Sequence, residues 1–380
     1  MIILLLLASY LLSFAQAKKG LDIHLFDVGQ ADAQLIVFPS GYSILVDAGE
    51  KKTGSMNCKM IAERIKAILG KSHVDVAVLT HLHLDHVGMP FTNGFWYLME
   101  KAGITFGKFI DRDAGVIKSR VTQCTGLNSE DVDWHNVGTY SSTALKWLCY
   151  ATNSNIKNAM TGIREIAVPC SNQINPPDEG ASVEIVISDA LGVNSDGKPL
   201  AADYHDQNDV PSENDYSISL RIQLGDFVYS TSGDLDGQDN SSRFGYLYHN
   251  VESSYKDVVG EVDLYKANHH GSEHSNNAEW LGVLKPTVSL ISCGHGNLYK
   301  HPTEPAVSLM NKYSKKIYLT EDCNAAVTDK FDKIVIVGNE IIVHYPVDGS
   351  TFTVTDLNNT FKHSYNVKKN KPQRKACGVI

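Results

Sequence analysis

Several features that would send a chain to a membrane or a fibre are missing here. No internal repeat and no extended low-complexity tract runs through the 380 residues, which argues against a repeat architecture. Beyond residues 1–14, no segment is long and apolar enough to cross a bilayer. None of the seven cysteines stands in a close CxxC pair, which argues against a cysteine-ligated zinc. Positive charge is scarce: 34 Lys and Arg face 43 Asp and Glu, for a net charge of −9. Six of those basic residues, and no acidic one, fall in 362–380, so the rest of the chain is more acidic still. An acidic body is poor at non-specific nucleic-acid binding. The basic tail could contact a polyanion, but a disordered, solvated tail is the simpler expectation.

What is present suits a soluble globular protein with one large domain or two smaller ones: 43% of residues are hydrophobic and 20% charged. Residues 1–14 form an uncharged run dominated by Leu and Ile. It ends at Ala15-Gln16-Ala17, a small-x-small cleavage pattern, and reads as a signal peptide over 1–17. The expected location is therefore secreted or extracellular, or periplasmic in a bacterium. Some cysteines should then pair as disulfides, and the odd count leaves at least one unpaired. Cys124, Cys149 and Cys170 crowd into one stretch, where a local bridge is plausible. Asn240-Ser241-Ser242 and Asn358-Asn359-Thr360 are glycosylation sequons, of consequence only on a eukaryotic secretory route.

Alternating apolar runs at 21–28, 33–38 and 43–46, with Gly or Pro between them, predict an antiparallel meander. Residues 60–69 carry apolar side chains at helical spacing and end at Gly70. A buried strand follows at 74–79. Residues 91–177 read as a possible insertion with a helix near 143–150. Further strands are expected at 183–187, 217–224, 227–230, 263–267, 287–292, 316–319, 333–337 and 341–345, with helices at 280–284 and 305–313. Residues 191–214 are rich in Asp, Asn, Gly and Pro and read as a surface loop. Two mixed β-sheets flanked by helices would bury this pattern, an α/β (α+β) class. The expected organisation is one domain over 18–345, followed by a C-terminal strand and basic tail over 346–380.

The chemistry concentrates at Thr80-His81-Leu82-His83-Leu84-Asp85-His86-Val87-Gly88, directly after the 74–79 strand. Imidazole and carboxylate donors of this kind suit zinc and similar cations. His81 and His83 alternate by two on an extended segment, so both rings can point to one side. They suit a first metal, and Asp85 and His86 suit a second.

The His81-x-His83-x-Asp85-His86 pattern resembles the signature of the metallo-β-lactamase superfamily. Four more segments extend the resemblance, towards the lactamase-like domain of the ComEC/Rec2 DNA-uptake proteins. These are Phe26-Asp27-Val28-Gly29-Gln30-Ala31-Asp32-Ala33, Ser232-Gly233-Asp234-Leu235, Lys266-Ala267-Asn268-His269-His270-Gly271-Ser272, and Ser292-Cys293-Gly294 through His301-Pro302. Their order and approximate spacing match from about Leu21 to Tyr313. The resemblance implies an αββα sandwich and a two-metal hydrolase. Asp234 would bridge the metals. One of His269 and His270 would complete the second site, His269 being preferred, with His270 nearer substrate. Asp85, His270 and His301 are the catalytic candidates, His301 through oxyanion binding or proton transfer, with a structural role open. Asp27 and Asp47 would support the ligating histidines, and Ser272 a ligand. Zn²⁺ is the first expectation for both ions and Mn²⁺ the alternative. Many superfamily members carry one more histidine ahead of the bridging aspartate, where this chain has Glu213-Asn214-Asp215-Tyr216-Ser217. His205, upstream, is a weaker candidate. The His81/His83 side therefore looks one ligand short.

The implied reaction is phosphoester hydrolysis by a metal-bound hydroxide. The substrate would be nucleic acid or a phosphocholine-like molecule, with no obligate protein partner. Hydrolysis of a lactam, lactone or thioester is the alternative, and a non-catalytic binding protein on the same scaffold is the third reading.

Overall fold

The computed structural model describes residues 19–50, 56–135, 141–189, 211–241 and 247–377. The expected signal peptide, most of the 191–214 loop, His205 and Ser242 of the first sequon lie outside them.

Chain order begins with β1 (Gly20–Leu25), β2 (Ala33–Val37) and β3 (Ser43–Ala48), then α1 (Met56–Leu69), β4 (His73–Val78), α2 (Leu84–Val87), α3 (Gly94–Glu100) and β5 (Thr105–Asp111). Next come β6 (Gly115–Ile117), β7 (Val132–Trp134), α4 (Ser142–Thr152), β8 (Ile163–Ile166), β9 (Ala181–Ile187), β10 (Ser219–Leu224), β11 (Phe227–Thr231), β12 (Gly237–Ser241) and β13 (Leu247–Asn250). The last part holds α5 (Val251–Val259), β14 (Leu264–Lys266), α6 (Ala278–Leu284), β15 (Val288–Ile291), α7 (Glu304–Tyr313), β16 (Lys316–Leu319), α8 (Ala325–Thr328), β17 (Ile334–Ile336), β18 (Ile341–Pro346), β19 (Thr351–Asp356) and β20 (Lys362–Asn366).

Two large sheets result. The first runs β20-β19-β18-β1-β2-β3-β4-β5-β8, antiparallel as far as β3 and parallel from there. The second runs β17-β16-β15-β14-β11-β10-β9, parallel up to β11 and antiparallel beyond. Both are mixed, as expected.

Side-chain alternation sorts each strand between two layers. Ile44 and Val46 of β3, Val76 and Val78 of β4, and Leu220, Ile222 and Leu224 of β10 meet in one core between the sheets. Leu45 and Ala77 point the other way, into a core with Ile61 and Ile65 of α1 and Trp147 of α4. Tyr265 and Ile291 likewise leave the second sheet to pack with Tyr255, Trp280 and Met310 of α5, α6 and α7. The layers are helix, sheet, sheet, helix: an αββα sandwich. Each fully buried Leu or Ile contributes about 1.5–3 kcal/mol relative to exposure.

Two elements differ from expectation. The segment 91–177 supplies β5 and β8 to the first sheet, and only the residues between them stand off as the β6–β7 pair and α4. The basic tail is not a solvated strand of loose chain. Lys371 Nζ lies 2.8 Å from Asp263 Oδ2, Arg374 pairs with Glu184, and Cys377 is bonded to Cys170. Its positive charges meet buried or half-buried carboxylates of the second sheet and its flanking loops, so ordering is favoured over solvation. The other disulfides are Cys124–Cys149 and Cys293–Cys323, and Cys58 is unpaired.

Candidate metal centre

The strands β3, β4, β11 and β14 all end at one rim of the sandwich. Open α/β sheets collect ligands at such strand ends, where chain reversals leave polar groups unpaired by the ladder. Asp47, the penultimate residue of β3, is held at a left-handed φ of 58°. Its carboxylate accepts from Thr80 N and Thr80 Oγ1, both at 2.8 Å, and from His86 Nδ1 at 2.8 Å. Thr80 is thereby anchored at the start of the histidine run. Gly49 makes the next step possible: a Cβ there would fall 1.6 Å from the Asp85 carbonyl oxygen.

His81 is fully buried and its Nε2 lies 3.0 Å from His83 Nδ1. His83 then caps the single turn α2, which carries Asp85 and His86. Across the rim, Asp234 follows β11, and Gly233 before it approaches Thr80 so closely that a Cβ would sit 2.6 Å from Thr80 Oγ1. Asp234 Oδ1 lies 3.1 Å from His86 Nε2 and 3.7 Å from His270 Nε2, and its Oδ2 lies 4.0 Å from His81 Nε2. One carboxylate thus faces both halves of the cluster. His270 Nε2 is also 3.5 Å from Asp85 Oδ2, while its Nδ1 is held 2.9 Å from the Ser292 carbonyl oxygen.

His86 Nε2, His270 Nε2 and Asp234 Oδ1 are buried without a hydrogen-bond partner. Buried polar atoms are normally satisfied, so a convergence of orphaned imidazole nitrogens and carboxylate oxygens is the donor set a cation would complete. Donor atoms of His86, Asp234, His270 and Asp32 lie within 4.8 Å of one another, as do those of His81, His83 and Asp234. The residues fit divalent cations.

Charge supports the same reading. Burial, then His86 and His83, lower the pKa of His81 well below that of a free imidazole, keeping it neutral and able to ligate. Burial opposes ionisation of Asp234, but His86, His269 and His270 overcome it and hold the carboxyl well below its ordinary range. Burial likewise opposes Asp85, and His270 and His86 bring it down. His86 goes up: burial alone would lower it, and the Asp234 and Asp47 carboxylates outweigh that.

His269 stands differently from its neighbour. Its Nδ1 is 3.6 Å from Asp236 Oδ1 and 3.3 Å from Asn214 Nδ2, and its Nε2 is 3.8 Å from Asp234 Oδ2. The ring that faces Asp85 and His86 is therefore His270, whereas the resemblance favoured His269 for that place. The His301 ring meets His269 edge-on at 5.2 Å, and its buried Nδ1 has no hydrogen-bond partner. Burial, with His269 and His270 nearby, pushes its pKa down to about 2. Asn297 braces the loop, donating to His301 O at 2.7 Å and accepting from His301 N at 2.9 Å. Asp47 supports His86 as expected. Asp27 Oδ1 accepts from Gly29 N at 3.4 Å. Ser272 donates its N–H to His269 O at 2.8 Å, and its hydroxyl accepts from His274 N at 3.2 Å.

Two residues of the centre, both inside the motif segments, were given no role from the sequence. Asp32 is buried within the cluster, and Lys266, also fully buried, pairs with its Oδ2. A lysine ending the apolar run of β14 was the available signal, since lysine is almost never fully buried unpaired.

No family model matches the chain. Sandwich and site define a class, and sequence matches agree with it: they fit a relationship to the metallo-β-lactamase superfamily. Three relatives illustrate it. The chain is 26% identical over 148 residues to ComE operon protein 3 of Bacillus subtilis, covering 39% of this chain and 17% of that one. It is 30% identical over 109 residues to competence protein ComA of Neisseria gonorrhoeae, covering 29% and 14%. It is 22% identical over 106 residues to recombination protein 2 of Haemophilus influenzae, covering 28% and 12%. The chain thus matches less than a fifth of the length of each. Among solved structures, a diphosphatase of the PhnP family overlaps 86% of this chain and 98% of its own at 10% identity, with a TM-score of 0.38.

Proposed function

We propose that this protein is a metal-dependent hydrolase of phosphoester bonds that works in an oxidising compartment. The observation that carries the reading is the largely buried convergence of His81, His83, His86, Asp234 and His270, with orphaned donor atoms on three of them and half-buried Asp85 beside His270. His81 and His83 would hold one cation, Asp85, His86 and His270 the other, and Asp234 both. Asp32 is the less suitable ligand because Lys266 already neutralises it.

Two such cations would supply Lewis acidity and an activated water. The chain's own groups do the positioning. Asp47 and Thr80 fix the His86 ring, and the Ser292 carbonyl fixes that of His270. His301, kept neutral by burial, presents Nδ1 as a candidate hydrogen-bonding group for the departing oxygen. Relatives named for competence and recombination favour nucleic acid among phosphoesters. The three disulfides favour an extracellular or periplasmic setting.

The test is metal replacement with Zn²⁺ and Mn²⁺ followed by a substrate panel. Turnover of bis-p-nitrophenyl phosphate or DNA is expected, lost in Asp85→Ala and His86→Ala. Turnover of nitrocefin or lactones instead would replace the phosphoester reading with the carbonyl one. Less than one bound metal per chain under metal-replete conditions would leave only a binding role.

A further inference from the structure

His81 and His83 lie beyond the end of β4, where no neighbouring strand pairs with the backbone. The peptide between them is still fixed. Leu82 is buried, and its N–H donates to Glu213 Oε1 at 2.9 Å. Glu213 opens the short turn Glu213–Tyr216 that leads into β10 of the second sheet. Its carboxylate is gripped by Arg112, which follows β5 of the first sheet: Nε lies 2.7 Å from Oε1 and Nη2 2.5 Å from Oε2. Arg112 Nη1 is 3.5 Å from Asp189 Oδ1, and its guanidinium sits 4.4 Å from the centre of the Tyr216 ring. Arg112, Glu213 and Asp189 are all buried.

We infer that Glu213, clamped by Arg112, is a positioning residue that sets the mutual orientation of the His81 and His83 rings. It thereby sets the strength of cation binding on that side of the centre. The inference rests on the metal reading above. Its physical basis is the geometry of a single peptide. Successive side chains about Leu82 take their direction from that peptide plane. A charged, bidentate-held carboxylate is a stiff acceptor for its N–H. The two rings stand at 78° with centroids 4.8 Å apart, an arrangement that a rotated peptide would not keep. Burial of the clamp removes solvent competition for the bond. Glu213 acts on the two histidines through their backbone, and its neighbour Asn214 reaches His269.

A merely structural ion cluster would hold the sheets together without distinguishing the two cation positions, so binding is the readout. The probe is Co²⁺, titrated into metal-free full-length protein and followed by visible absorption and calorimetry. His83→Ala identifies which of two equivalents belongs to the His81/His83 side. Glu213→Gln, of the same size, is expected to weaken that equivalent by roughly tenfold or more and to leave the other unchanged. Wild-type binding of both equivalents by Glu213→Gln would overturn the inference, as would equal weakening of both. Should Glu213→Gln fail to fold, Arg112→Lys decides by the same criteria, because it keeps the charge and loses the planar fork. A wild type that binds no Co²⁺ sinks the metal reading and this inference together.

Discussion

Asp234 is the side chain that faces both halves of the cluster, with Oδ1 towards His86 and His270 and Oδ2 towards His81. Asp234→Asn should therefore remove both metal equivalents, where His83→Ala removes one; metal analysis of the purified variants checks this. His270→Ala should cost more metal affinity than His269→Ala, by roughly ten- to a hundredfold, because only His270 faces Asp85. Reading the sequence preferred His269 of that pair, without a local pattern to decide it. Both residues take left-handed backbone angles, φ 49° and 52°, so the alternation that sorts a strand's faces does not apply to them. Glu252 gives a prediction about pH. It is buried, accepts from Asn268 Nδ2 and the Asn276 and Asn277 amides, and so braces the His269/His270 loop. Burial raises its pKa to about 7, against those hydrogen bonds. An unfolded Glu titrates near 4.3, so between roughly 4.3 and 7 the native state holds a proton that the unfolded chain has lost. Its contribution to stability therefore falls as pH rises through that window. Glu252→Gln should remove that slope and cost about 1–3 kcal/mol, since its amide cannot accept from Asn277. Urea denaturation of both proteins from pH 5 to pH 8 measures it.

At the scale of elements, most strands and the helices α1, α4, α6 and α7 were legible, because periodicity reports directly on burial, whereas α3, α5, α8, β5 to β8, β12 and β13 were not read. The short α2 was not legible either, being a single turn whose residues answer to the cation cluster rather than to a helical face. Nor was the fate of the tail, since a run of Lys and Arg in sequence does not reveal which carboxylates lie across from it. After β20 the chain crosses to the second sheet, where Lys368 N donates to Asp263 Oδ1 at 2.8 Å and Lys375 N donates to Asp257 O at 2.9 Å. It acts as a strap between the layers. Lys371→Met should destabilise by about 3 kcal/mol, because Asp263 is fully buried and loses its cation. Replacing Cys170 and Cys377 by Ser should cost about 2–5 kcal/mol, given a closed loop of 207 residues. Both are read as shifts in the denaturation midpoint, with the αββα core expected to remain folded.

For the molecule as a whole, the centre joins two sheets that the chain builds largely from its two halves. The first sheet's strand ends lead to His81, His83, Asp85 and His86, and the second's to Asp234 and His270. Cation binding should consequently hold the layers together, and EDTA should lower the melting temperature. The linkage is worth about 2.7 kcal/mol when free metal exceeds its dissociation constant a hundredfold. The sequence by itself determined the alternation behind two mixed sheets and the cluster His81-x-His83-x-Asp85-His86, because both are local properties; Asp234 and the His269/His270 pair entered only through the family resemblance. Tertiary structure alone decided that His270 rather than His269 turns towards Asp85, that Lys266 neutralises Asp32, and that Glu213 reaches Leu82. Each of these is a meeting of side chains dozens to hundreds of residues apart, set by how two sheets stack, and no local pattern encodes that distance.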